Sequence, residues 1–137
     1  MHTNATLRKM LDTIGCRAPI RFSRFPRGSE GLCIPFLGIY VNPKYRALPD
    51  PYLRAVVYHE AGHWRDPLHW LSLLAVPGLL AALYALVRTE NVLWLDVIYL
   101  IMAAGYFVRR LKERRADAFA RWHMPDYDRY DPTAKPR

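Results

Sequence analysis

With 137 residues the chain has room for one domain, and its net charge of +8 admits either nucleic acid or an anionic membrane surface as a partner. The basic residues flank apolar segments and form no groove-reading helix, so lipid headgroups account for them more simply and no nucleic-acid partner is expected. Met1 to Gly15 lack a continuous apolar core, so no signal peptide is expected. Cys16 and Cys33 read as reduced thiols and are left out of any metal site.

In chain order, residues 3–14 carry Leu7, Met10, Leu11 and Ile14 at helical spacing, with Thr3 or Asn4 as N-cap and Gly15 as stop. Residues 19–25 and 32–42 read as two strands of a hairpin, with turn signals over 26–31. Pro35 marks an edge or a bulge in the second strand. Asp50 as N-cap and Pro51 at the first helical position start a helix that ends near Asp66-Pro67. Residues 67–87 contain no Asp, Glu, Lys or Arg, and a helix of roughly 20 such residues spans a bilayer core. Pro77-Gly78 predicts a kink in that span. A polar turn over 88–91 leads to a second, shorter apolar run, 92–108, interrupted only by Asp96.

Of the 20 Lys and Arg residues, 10 precede residue 66 and 9 lie from Arg109 onward. The positive-inside rule then puts both termini on the cytoplasmic side of a two-helix transmembrane hairpin. The apolar run continues into one long helix over 92–122, with Arg109, Arg110, Lys112, Arg114 and Arg115 at the headgroup level. The tail, 125–137, reads as irregular.

The chemistry is concentrated in His59-Glu60-Ala61-Gly62-His63. Residues four apart share a helix face, so His59 and His63 can direct their imidazoles at one metal, and Glu60 can act on a water there as general base. A zinc with two His ligands takes a third protein ligand and keeps one position open. Glu113 can supply that ligand, and Asp117, one turn later, can accept the spare N–H of a ligand histidine and fix its tautomer. The expected cofactor is one zinc ion per chain.

His59-Glu60-Ala61-Gly62-His63-Trp64 together with Glu113-x-x-Ala116-Asp117-Ala118-Phe119-Ala120 closely resembles the membrane gluzincin peptidases, a family that includes HtpX and the CAAX prenyl proteases. The resemblance is specific over 59–64 and 113–120 and loose elsewhere. The large N-terminal membrane region of those enzymes has no counterpart here, whereas the soluble minigluzincins carry the same motifs in a similarly compact core. The resemblance implies that His59, His63 and Glu113 bind zinc, that Glu60 is the catalytic base and that Asp117 orients a ligand. It also implies a substrate-aligning edge strand before the motif helix, here Gly38, Ile39, Tyr40, Val41 and Asn42, to which a peptide adds by β-augmentation. Zinc peptidases that this pattern resembles use a His, Arg or Tyr downstream of the third ligand to stabilise an oxyanion, and the resemblance implies His123, or after it Tyr127 or Tyr130, in that role here.

The expected fold is therefore α+β. A small zincin-like part, 1–66, comprises an N-terminal helix, a β-hairpin and the motif helix; a transmembrane hairpin follows over 67–108, then the third-ligand helix over 109–124. The expected protein is an integral inner- or plasma-membrane zinc metalloendopeptidase, acting on peptides or membrane proteins at the cytoplasmic surface. Two alternatives are a soluble peptidase whose apolar hairpin is buried, and a non-catalytic zinc-containing module at the membrane.

Overall fold

Thr3 begins the first helix with a reciprocal cap: its hydroxyl accepts from the Thr6 amide at 3.3 Å, and its own amide donates to the Thr6 hydroxyl at 3.2 Å. Helix α1 runs Asn4–Thr13 and buries Leu7, Met10 and Leu11, the face that the spacing predicts. Gly15, at φ 65, then turns the chain. The computed structural model describes residues 1–24 and 29–131. Residue 25 of the expected first strand, residues 26–28 of the 26–31 turn and residues 132–137 of the tail lie outside the described residues.

Three short strands form one mixed sheet in the order β1-β3-β2: β1 is Ile20–Phe22, β2 is Gly31–Ile34 and β3 is Gly38–Val41. The single strand expected over 32–42 is in fact an antiparallel hairpin, with Leu32 opposite Tyr40 and Cys33 opposite Ile39. Pro35 has no amide to give a ladder, so it lies in a turn closed by the Leu37 amide on the Ile34 carbonyl at 3.1 Å. Phe36 takes φ 66 in that turn, as the third residue of a type II turn must. Gly38 follows at φ 122, where a Cβ would lie 2.4 Å from the Pro19 carbonyl oxygen. The hairpin expected between the first two strands does not form, because β1 pairs in parallel with β3, Ile20 opposite Ile39.

Helix α2 spans Asp50–Arg65. Its N-cap is Pro49 and no side chain caps it, so Asp50 is the first helical residue and not the cap. The Asp50 carboxylate instead faces His2 at 3.4 Å and Arg54 at 3.6 Å. Asp66 ends the helix at ψ 116, the extended backbone that a following proline favours. A short helix α3, Pro67–Leu71, and a 3-10 turn, Ser72–Leu74, precede helix α4, Ala75–Thr89. The irregular turn falls where Pro77, lacking an N–H, leaves the Leu73 carbonyl without its helical donor. Glu90 closes α4 at φ 51, and the Asn91 side chain accepts from the Leu93 amide at 3.0 Å. Helix α5 then runs unbroken over Leu93–His123, and a final short helix α6 covers Tyr127–Tyr130.

The chain divides into two units, Met1–Asp66 with Arg114–Arg137, and Pro67–Glu113. The first holds the hydrophobic core, built on Leu7, Leu11, Ile39, Val41, Leu53 and Tyr127. In the second, the helical stretch Pro67–Thr89 contains an 18-residue window of mean hydropathy 2.1 and is the one among the described residues long and apolar enough to cross a membrane. The run from Leu93 does not meet that test, since it carries Asp96 and is closed by Arg109 and Arg110. The second span of the expected hairpin is thus not supported by length and composition.

Candidate metal centre

Helix α2 is amphipathic in an unusual sense: its buried face carries His59, Glu60 and His63, each only 7% exposed, among Leu53, Val56, Val57 and Ala61. Buried polar groups at this density must be satisfied by partners, because an unpaired one costs about 1–3 kcal/mol. The two histidines face each other. Their Nε2 atoms are 3.2 Å apart, with ring centroids 4.8 Å apart and nearly perpendicular planes. Glu113 of α5, itself exposed, completes a cluster whose ligand atoms all lie within 4.8 Å of one another. It is the residue directly before Arg114 in the same unbroken helix, whose following turns pack against α2.

Two contacts set that packing. A Cβ on Gly62 would lie 2.8 Å from the Ala116 Cα, so only glycine lets α2 come this close to α5. Ala116 is fully buried at that crossing. Asp66, at the C-terminal end of α2 and also buried, meets Arg115 at 3.5 Å. The intervening positions of both motifs are therefore steric requirements of the same site.

The geometry fits a metal. Two nitrogens bound tetrahedrally at about 2.0–2.1 Å stand about 3.3 Å apart, close to the separation here. The donor set, two imidazoles and a carboxylate with a fourth position open, suits zinc. Without metal the same separation accommodates a hydrogen bond from His63 to His59, so binding would displace a proton.

His59 is oriented from behind. Its Nδ1 lies 2.9 Å from Asp117 Oδ1 and 3.1 Å from the Tyr127 hydroxyl, which donates to the same Asp117 oxygen at 3.0 Å. Burial alone pushes the Asp117 carboxyl upward. The hydrogen bond and charge of His59, the Tyr127 hydroxyl and Arg121 outweigh it and hold Asp117 below the usual carboxylate range. Asp117 is therefore an anion that only accepts, and His59 donates to it through Nδ1–H. That would leave the Nε2 lone pair available to a metal. Tyr127 is pushed above its ordinary range by burial first and by the Asp117 charge next, and so remains a donor.

Glu60 lies against β2. A Cβ at Gly31 would come within 2.7 Å of Glu60 Oε1, so glycine as the first residue of β2 leaves this carboxylate room where it stands. Sequence reasoning absorbed Gly31 into a turn; its one signal, the end of a Pro/Gly/Ser cluster, does not point to the motif helix.

Three expectations need revision. Strand β3 is hydrogen-bonded to β1 on one side and β2 on the other, so Gly38, Ile39, Tyr40 and Val41 have no free edge for an added strand. Asn42 anchors the neighbouring loop, accepting from the Lys44 amide and donating to the Ser29 carbonyl, each at 3.0 Å. The edge beside Glu60 is β2. His123 is not brought into the cluster: it lies ten residues beyond Glu113, about 15 Å along the helix. Its Nδ1 donates to the Phe119 carbonyl at 2.9 Å, and its ring packs on Phe119. Tyr127 serves His59 from behind, and Tyr130 packs edge-on to Tyr52 at 5.1 Å.

Comparison with protein-family models, curated proteins and solved structures finds no match for this chain.

Proposed function

We propose that this chain is a membrane-anchored zinc metalloendopeptidase acting at the cytoplasmic surface. The observation that carries the reading is the convergence of His59 and His63 Nε2, 3.2 Å apart, with Glu113 in the same cluster and a buried Glu60 between the two histidines in sequence. A structural zinc site has no need of that fourth residue, whereas hydrolysis needs a general base.

His59, His63 and Glu113 would hold the ion. When bound, zinc supplies Lewis acidity toward a peptide carbonyl and toward water. Glu60 takes the proton of the attacking water and later delivers it to the leaving amine. The buried walls around Glu60 exclude bulk water, which strengthens that carboxylate's electrostatic role. An extended peptide adds along β2, whose only strand neighbour among the described residues is β3. The membrane assignment rests on an 18-residue window of Pro67–Thr89, of which only 6% is buried, and it requires the run from Leu93 to return the chain to the same face, since the cluster joins residues from both ends of that span. That exposure favours a bilayer partner over the soluble alternative with a buried apolar hairpin.

The test is zinc content of detergent-purified protein beside His63→Ala and Glu113→Gln, followed by peptide hydrolysis by Glu60→Gln. About one zinc per chain, lost or weakened in the first two variants, is expected. Glu60→Gln should keep zinc and lose turnover by about 10²–10⁴-fold. Zinc uptake no greater than that of the variants, or full activity in Glu60→Gln, sinks the reading.

A further inference from the structure

Resting on that metal reading, we propose that Tyr127 is a positioning residue that sets the zinc affinity of the site by fixing the tautomer of His59 through Asp117. Three atoms form a closed triangle: Tyr127 Oη to Asp117 Oδ1 at 3.0 Å, Tyr127 Oη to His59 Nδ1 at 3.1 Å, and His59 Nδ1 to Asp117 Oδ1 at 2.9 Å. The tyrosine hydroxyl spends its one hydrogen on the carboxylate, so it turns a lone pair toward Nδ1–H. His59 then has two acceptors on that side and no donor. Its proton is held on Nδ1, and the Nε2 lone pair is directed toward His63 Nε2 at 3.2 Å.

Asp117 alone would do this less well. Its side chain is 23% exposed, open to competing water, whereas Tyr127 is fully buried. The hydroxyl thus pins the exposed carboxylate to one rotamer. Tyr127 is itself held in place by the short helix α6. Asp128 accepts from Arg121 Nε at 2.8 Å, the Arg121 guanidinium lies 5.8 Å from the Tyr127 ring centre, and Tyr130 packs against Tyr52. The last described turn of the chain therefore clasps the back of the metal centre, 68 positions from the histidine it serves.

The experiment compares wild type with Tyr127→Phe, which keeps the ring and removes only the hydroxyl, and with Tyr130→Phe as a control on the same turn. Zinc affinity is read by competition with a chromophoric chelator, and the His59 tautomer by nitrogen NMR of the metal-free protein. Tyr127→Phe should bind zinc about 10-fold more weakly, at the lower end of the 10–100-fold range for partners of ligand histidines. Its His59 should shift from Nδ1–H toward Nε2–H, while Tyr130→Phe leaves both readings at wild-type values. Zinc uptake that Tyr127→Phe leaves unchanged overturns this inference alone, and equal losses in Tyr130→Phe do the same. A wild type that takes up no zinc overturns both claims. Should Tyr127→Phe fail to fold, the metal-free wild type still decides, because a His59 proton found on Nε2 refutes the proposed role.

Discussion

Leu53 and Leu80 are the same residue on two helices, yet one is fully buried and the other is 61% exposed. They represent their units. Among the described residues every buried hydrophobic side chain except Ala82 belongs to the first unit, Met1–Asp66 with Arg114–Arg137. The second, Pro67–Glu113, is richer in leucine and valine but leaves most of them exposed, including Leu74, Val76, Val87, Leu93 and Leu100. Composition alone would rank the second unit as the better core. What separates them is the pattern. In α1 apolar residues recur on one face and polar ones on the other, so burial satisfies both, and α2 is buried on every side over residues 55–63. Along Pro67–Thr89 apolar residues surround the helix, which suits a hydrocarbon solvent. Membrane burial of that helix remains part of the functional proposal.

The widest gap between the units should appear on truncating these two leucines. Leu53→Ala should destabilise the metal-free protein by about 2–5 kcal/mol, from lost burial and the cavity left behind. Leu80→Ala should stay within about 0.5 kcal/mol, as at an exposed position. Urea unfolding in detergent measures both. A Leu80→Ala cost matching that of Leu53→Ala would mean that protein, not lipid, covers α4.

A charge sharpens the same contrast. Leu37, at the β2–β3 turn, has the same 61% exposure as Leu80. Leu80→Arg, near the middle of Pro67–Thr89, should oppose membrane insertion by about 2.5–3.5 kcal/mol and move protein into the supernatant of a carbonate wash. Leu37→Arg should stay in the pellet with the wild type. Wild-type protein recovered in the supernatant would break the comparison at once.

Within the first unit, close packing sets the Gly62–Ala116 crossing on which the proposed metal site depends. Gly62→Ala should gain up to about 1 kcal/mol of helix propensity. The new methyl, however, would sit 2.8 Å from backbone of Ala116, and overpacking costs about 1–3 kcal/mol. The clash wins, α2 and α5 separate, and zinc affinity measured by chelator competition should fall more than 10-fold. An unchanged affinity would show that Glu113 reaches the histidines without the close crossing.

The candidate metal-binding set was legible because helix geometry converts spacing into direction. His59 and His63 at i and i+4, and Glu113 and Asp117 at i and i+4, each need only one helix to be read. What was not legible depends on pairing distant in sequence. Pro35 signals interruption of a strand, but whether it marks a bulge or a turn is decided by the packing of Gly38 against Pro19. The central position of β3 follows from a parallel pairing of Ile20 with Ile39, which no local pattern encodes. That one pairing takes 38–41 off the sheet edge and leaves β1 and β2 as the outer strands among the described residues. Asp50 shows a smaller failure of the same kind: it has the side chain of a cap, but His2 and Arg54 compete for it. Tyr127 was read as a candidate facing the substrate because its position downstream of Glu113 carries no information about which side of His59 it approaches.

The smallest expected effect concerns how completely the first unit shields its polar groups. Tyr45 is pushed above its ordinary range by burial first, then by a 2.6 Å hydrogen bond to Glu30 and that carboxylate's charge. Tyr127 is pushed the same way by burial and then by Asp117. In each the folded pKa lies above the unfolded value of about 10, so folding favours the neutral phenol. The stabilisation is complete below that pH and is lost as pH rises through the folded value. In an absorbance titration the two phenolates should be missing at pH 11 and appear only with alkaline unfolding. Tyr45→Phe and Tyr127→Phe should therefore leave the native amplitude at pH 11 unchanged, and each should lower the fully denatured amplitude by one of the nine tyrosines. A drop in the native amplitude for either variant would show that its hydroxyl meets solvent. For Tyr127 that would also open the back of His59 to water, removing the shielding that distinguishes this unit from its exposed neighbour.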